Sequence, residues 1–203
     1  ISPTDVTHVY NEFKDDEVTI LDGGDIRTFN NGIGIESTII KLDTGKITIL
    51  RSGGISYNDL NNFIRKERLP FELEIIKKAS DLKKGEIAPG QAITHYAPKN
   101  IKTVMIKTSK PLKLTDISVN HSEIAILDYG KNALVFSDKI AKYLDLSEAS
   151  DISEAMLNLY NYLRVIENCK LVKKLYIITD DQKNNLGIQD RIFRAASGNI
   201  ITV

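Results

Sequence analysis

Four short stretches of this sequence combine residue types that could do chemistry: Ser2-Pro3-Thr4, Glu36-Ser37-Thr38, Arg51-Ser52-Gly53-Gly54 and His95-Tyr96. Ser2-Pro3-Thr4 offers hydroxyls and backbone N–H groups at the start of a helix, a place that attracts phosphate or carboxylate; taken alone, it is also an ordinary helix cap. Glu36-Ser37-Thr38 supplies a carboxylate and two hydroxyls, and Arg51 supplies a guanidinium beside glycines. Arginine flanked by hydroxyls and glycine suits a clamp on an anionic ligand. His95-Tyr96 has no visible carboxylate or cysteine partner, so a general base is less suited to it than an aromatic that packs over a ligand as part of a closing loop.

The elements that must position these groups follow from the pattern of apolar residues. Proline in the first turn predicts a short helix from Ser2 to about Phe13, and the apolar run Glu17 to Gly24 reads as a strand ending on paired glycines. Two β-branched runs, Thr38–Leu42 and Lys46–Arg51, flank Asp43-Thr44-Gly45 and predict an antiparallel hairpin. That hairpin brings the Glu36-Ser37-Thr38 end and the Arg51 end together. From Ser56 the period becomes helical, with Leu60, Phe63 and Ile64 on one face, and stops before Pro70. Phe71 to Lys84, charged and without clear period, reads as a connection that leads into the uncharged loop Ala88 to Pro98.

Beyond residue 100 strand and helix alternate. "TVMIKT", "EIAILDYG", "ALVFS" and "KLYIITD" read as buried strands, and Asp151 to Asn168 as a helix opened by Asp151 with Glu154 three residues on. Such alternation predicts a small α/β domain. Gly187 precedes a charged helix on which Asp190, Arg191 and Arg194 read as a solvated face, with a second anion-binding spot as the alternative. His8 and His121 read as structural or solvated.

Composition narrows the function classes. Lysine plus arginine equals aspartate plus glutamate at 27 each, so no overall field draws in nucleic acid, and scattered lysines argue against direct RNA binding. The single cysteine, Cys169, excludes an internal disulfide and reads as a small apolar residue near a helix end; a reducing, cytoplasmic setting follows. No apolar run approaches the roughly 20 residues that span a bilayer.

The same stretches resemble the threonylcarbamoyl-AMP synthases. Ser2-Pro3-Thr4 with His8-Val9 is similar to their "SPT…HV" element, Gly34 to Thr38 to "GIEST", Ile49 to Gly53 to "LRPG" with Ser52 in place of the proline, and Ala88 to Pro98 to the interdomain "PGMKYRHYAP". "GIQDRIFRAA", Gly187 to Ala196, resembles the end of the C-terminal domain of the two-domain form. The resemblance implies an α/β chain: a partial YrdC-type domain (strand hairpin plus helices) at 1–69, an interdomain linker with the HYAP loop at 70–100, and a small Rossmann-like α/β domain at 101–203.

The reaction so implied joins L-threonine, bicarbonate and ATP, with substrate-bound Mg2+, into threonylcarbamoyl-AMP and pyrophosphate. A tRNA-modifying transferase would consume the adenylate. Ser2, Arg51 and Tyr96 would contact ATP, Ser37 would contact L-threonine, and His95 and Tyr96 would form the lid. No catalytic residue is assigned. The N-terminal half of the YrdC-type domain, with its "KxR" element, is not among these residues; either it has been removed from this sequence or a separate chain supplies it, and residues 1–203 by themselves would be inactive. The alternative is a non-catalytic module that binds a nucleotide or a partner.

Overall fold

The computed structural model describes residues 1–25, 33–75, 95–113, 117, 121–179 and 186–203. The motif residues Ala88 to Thr94 lie outside this set.

The first part of the chain holds α1 (Val6–Phe13), β1 (Ile39–Asp43), β2 (Lys46–Arg51), α2 (Tyr57–Lys66) and β3 (Glu72–Ile75). Asp5 caps α1, its carboxylate accepting from the His8 amide, so capping falls one residue beyond the Ser-Pro-Thr stretch and leaves Ser2 available to another partner. The hairpin is present: β1 and β2 pair antiparallel from Asp43↔Lys46, with Gly45 at φ 72° closing the turn in a conformation that suits glycine. Ser56 and Asp59 form a reciprocal capping box on α2.

Two expectations change here. The run Glu17–Gly24 is not a strand; Val18 and Leu21 stand exposed, and β propensity without a neighbouring strand forms no ladder. The stretch read as a connection from Phe71 instead begins with β3, which pairs parallel to β2 and places Ile75 beside Ile49. Its alternation of Glu and apolar residues is a half-buried strand pattern hidden by the charges.

The second part holds β4 (Lys102–Lys107), β5 (Ile124–Asp128), β6 (Lys142–Asp145), α3 (Ile152–Glu167), β7 (Lys174–Thr179), α4 (Leu186–Ala195) and β8 (Ile200–Thr202). Its five strands form one parallel sheet in the order β6-β5-β7-β4-β8. Both faces of β4, β5 and β7 are covered, which is why these three strands read as nearly continuous apolar runs. Ala125, Leu127, Leu175 and Ile177 pack with Ala155, Leu159 and Leu163 of α3 and with Ile188 and Ile192 of α4. Ile124, Ile126, Tyr176 and Ile178 face the other side, against Leu112, Ile117 and Phe136.

"ALVFS" is not a strand: Leu134–Phe136 is a short 3-10 turn with only Phe136 of its three residues buried. The Asp128 carboxylate accepts the Ala133 and Tyr129 amides, and these bonds fold the segment back over the end of β5. The neighbouring strand is β6, whose four residues are all half-buried and carry a weak apolar signal. Asp151 caps α3 through the Glu154 amide as expected, while the Glu154 carboxylate accepts the Ser147 hydroxyl and does not return to the cap.

Candidate functional site

The loop before β1 and the end of β2 meet, as antiparallel pairing requires. Arg51 donates Nε and Nη2 to the Ser37 carbonyl at 3.1 and 2.9 Å. The Thr38 hydroxyl donates to the Ile55 carbonyl at 2.6 Å and accepts the Ile55 amide. The guanidinium therefore braces the Ser37 backbone.

Glu36, one residue earlier, is the centre of the arrangement. Its carboxylate accepts the Ser2 hydroxyl at 2.6 Å, the Tyr160 hydroxyl at 2.7 Å and Arg191 Nε at 2.7 Å. Burial opposes ionisation of Glu36, but the hydrogen bonds from Ser2, Tyr160 and Arg191, with the Arg191 charge, outweigh it and hold the carboxyl at about 2. Burial, reinforced by the Glu36 charge, pushes the Tyr160 phenol far above its ordinary range, so it is the donor in this pair.

Arg191 is fully buried and divides its donors between two carboxylates, Nε to Glu36 and Nη1 to Asp190 Oδ2 at 2.9 Å. Arg194 Nε meets Asp190 Oδ1 at 3.0 Å. The solvated-face reading of α4 is thus overturned: Asp190, Arg191 and Arg194 are all buried, because this side of the helix turns inward to reach Glu36. Arg191 Nη2 has no hydrogen-bond partner among the described residues, and the guanidinium carbon lies 5.7 Å from the centre of the Tyr96 ring. A cation over an aromatic face recovers part of that loss.

Tyr96 is buried, with its ring 5.2 Å from that of Tyr160. Its φ of 66° lies in the left-handed region, a cost of about 1–2 kcal/mol for a residue with a Cβ that packing must offset. His95 stands exposed and meets Tyr96 edge to face at 3.9 Å. Arg164 of α3 adds Nε to the Ser2 carbonyl and Nη2 to the Ile1 carbonyl, fixing the backbone that presents the Ser2 hydroxyl.

Three glycines set how close these pieces come. A Cβ on Gly34 would lie 2.3 Å from the Met156 carbonyl oxygen of α3, and one on Gly53 would lie 2.3 Å from both the Glu36 carbonyl oxygen and the Thr38 amide. One on Gly187 would meet the Gly53 carbonyl at 3.0 Å. Gly53 and Gly187 also line a cavity of about 330 Å³, together with Ser52, Ser56, Asn58 and Met156. Among the described residues no charged side chain lines it, so it suits an uncharged, partly apolar group.

The structure therefore places Ser2 on the Glu36 carboxylate, Arg51 on the neighbouring Ser37 carbonyl, and Tyr96 beside Tyr160 and Arg191, with His95 exposed next to it. Sequence reasoning missed Tyr160, put Arg191 on a solvated face, and noted Glu36 without assigning it a role. Among the described residues no cluster of three His, Cys, Asp or Glu side chains could hold a metal ion, and no helix is long and apolar enough to cross a membrane.

Comparison with known proteins adds an independent line. Residues 55–197 match the family model described as "Threonylcarbamoyl-AMP synthase, C-terminal domain". The threonylcarbamoyl-AMP synthase of Bacillus subtilis (strain 168) is 26% identical over 204 residues, covering 98% of this chain and 55% of that protein. The enzyme of the same name from Pyrococcus abyssi is 35% identical over 97 residues, 48% of this chain and 26% of that protein. In structure, P. abyssi Sua5 complexed with L-threonine superposes with a TM-score of 0.76 at 23% identity, over 100% of this chain and 56% of that one. The chain spans about half the length of the curated relative it matches end to end.

Proposed function

The chain belongs to the threonylcarbamoyl-AMP synthase C-terminal domain family, and from that membership we propose that it forms part of an enzyme joining L-threonine, bicarbonate and ATP into threonylcarbamoyl-AMP with release of pyrophosphate. The observation that supports this reading is that Ser2 donates to Glu36 while Arg51 braces the adjoining Ser37 carbonyl, in a fold shared with a protein crystallised with L-threonine. In this reading residues 1–69 are the last part of a YrdC-type domain, 70–100 a linker and 101–203 the C-terminal domain.

Ser2 and Arg51 face the ATP phosphates, Ser37 the threonine, and Tyr96 the nucleotide side of the linker. Their work is electrostatic and positional: a fixed guanidinium and hydroxyl stabilise charge building on the α-phosphate as it is attacked. His95 and Tyr96 close over the site and keep water from an adenylate that hydrolyses readily. Mg2+ arrives as part of the ATP substrate. The product is consumed by a transferase that places the threonylcarbamoyl group on adenosine in tRNA, in the cytoplasm.

In the same reading the N-terminal half of the YrdC-type domain is not among residues 1–203. The experiment is complementation. Residues 1–203 with ATP, threonine and bicarbonate should release no pyrophosphate, and addition of the N-terminal half of a full-length relative should restore release that depends on all three substrates. Turnover by the chain alone would refute the division of labour. ATP binding without pyrophosphate release in the presence of the other half would favour a non-catalytic binding module.

A further inference from the structure

We propose that Arg191 and Tyr160 are positioning residues for the segment Glu36–Thr38, so that the C-terminal sheet and its helices act as an orienting part of the ligand site. The inference rests on the reading that Ser2 and Ser37 touch substrate, and it assigns the C-terminal domain a task within that reading.

Three observations converge on it. The Glu36 carboxylate accepts hydrogen bonds from α3 and α4, through Tyr160 and Arg191, and from Ser2. One carboxylate thereby fixes the hydroxyl assigned to ATP and the residue next to the one assigned to threonine. A displacement of Glu36 would move both. The backbone of the segment is also confined on two sides, since Gly34 allows contact with the α3 main chain and Gly53 allows contact with residues 36–38. Finally, Arg191 is fully buried in a site where its charge is divided between Glu36 and Asp190. A buried ion pair is a poor way to gain stability compared with apolar packing, whereas it does fix geometry.

A purely structural ion pair makes different predictions, and hydrogen exchange on the full 203-residue chain separates the two. In Arg191→Met, amides of residues 34–38 should exchange at least about tenfold faster, while β5 and β7 keep their protection. Arg191→Lys should recover part of that protection. NMR titration of the Glu36 carboxyl in Arg191→Met should move up toward the ordinary carboxylate range. Threonine affinity, measured by calorimetry with ATP and the N-terminal half of a full-length relative present, should fall about fivefold or more in Arg191→Met and in Tyr160→Phe.

Unchanged exchange of residues 34–38 in folded Arg191→Met overturns the inference, as does faster exchange with unchanged threonine affinity. If the unsubstituted chain binds no threonine even with the N-terminal half of a full-length relative added, the functional reading fails and the exchange result alone decides the positioning role. If Arg191→Met does not fold, Tyr160→Phe combined with Glu36→Gln decides: non-additive loosening of residues 34–38 supports the inference, and additive or absent loosening overturns it.

Discussion

Glu36 makes the folded state sensitive to acid in a calculable way. Its folded value is held at about 2 against an ordinary 4.5, so its contribution is fully present above the unfolded value and is lost as pH falls from about 4.5 through 2. The upper bound is on the order of 3 kcal/mol, since each pH unit between the two values corresponds to about 1.4 kcal/mol, and solvent screening of the carboxylate's exposed edge reduces it. Urea unfolding at a series of pH values should show this loss in the unsubstituted chain and a flatter acid limb in Glu36→Gln. Equal acid limbs would mean that other carboxylates dominate. Nothing in the local sequence announces this role. A glutamate followed by two hydroxyl residues suggests ligand contact, and its partners lie on helices far along the chain, where charged residues are ordinarily solvated. Only the burial of Arg191, a property of the folded chain, makes the hub legible.

At the level of elements, the segment before β1 depends on glycine. Gly34 sits at φ 73°, and any side chain there would run into the α3 backbone as well as strain its own. Gly34→Ala should therefore destabilise by roughly 2–4 kcal/mol, combining backbone strain with steric displacement, which thermal unfolding would register as a lowered midpoint. An unchanged midpoint would show that α3 is free to retreat. The parallel strands β4, β5 and β7 were legible because burial on both faces leaves an uninterrupted apolar run. The strand β6 was not, since four half-buried residues at a sheet margin show no strong pattern. β3 was masked by the glutamates that alternate along its exposed face. The hairpin ends, by contrast, could be brought together on paper, because a two-strand turn fixes its own register.

On the scale of the whole molecule, stability is concentrated in the C-terminal part. Leu159 is fully buried between α3 and the sheet, so Leu159→Ala should cost about 2–5 kcal/mol by chemical denaturation. A loss below about 1 kcal/mol would indicate that this interface collapses around the gap. α1, which has no buried residue, and the exposed apolar positions Leu21 and Leu42 contribute little to that core. The fold class was therefore readable from the second half of the sequence, where the apolar pattern is densest, and least readable where side chains serve the hub.

The strand order β6-β5-β7-β4-β8 sets a timetable for synthesis on the ribosome. β4 is the first strand of its sheet to be made, yet both of its neighbours, β7 and β8, follow β5, β6 and α3 in the chain. Val104, Met105 and Ile106, all buried in the finished sheet, must wait unpaired while those intervening elements emerge. Non-local pairing of this kind is slow, and an apolar strand without a partner is a natural substrate for a chaperone during that wait.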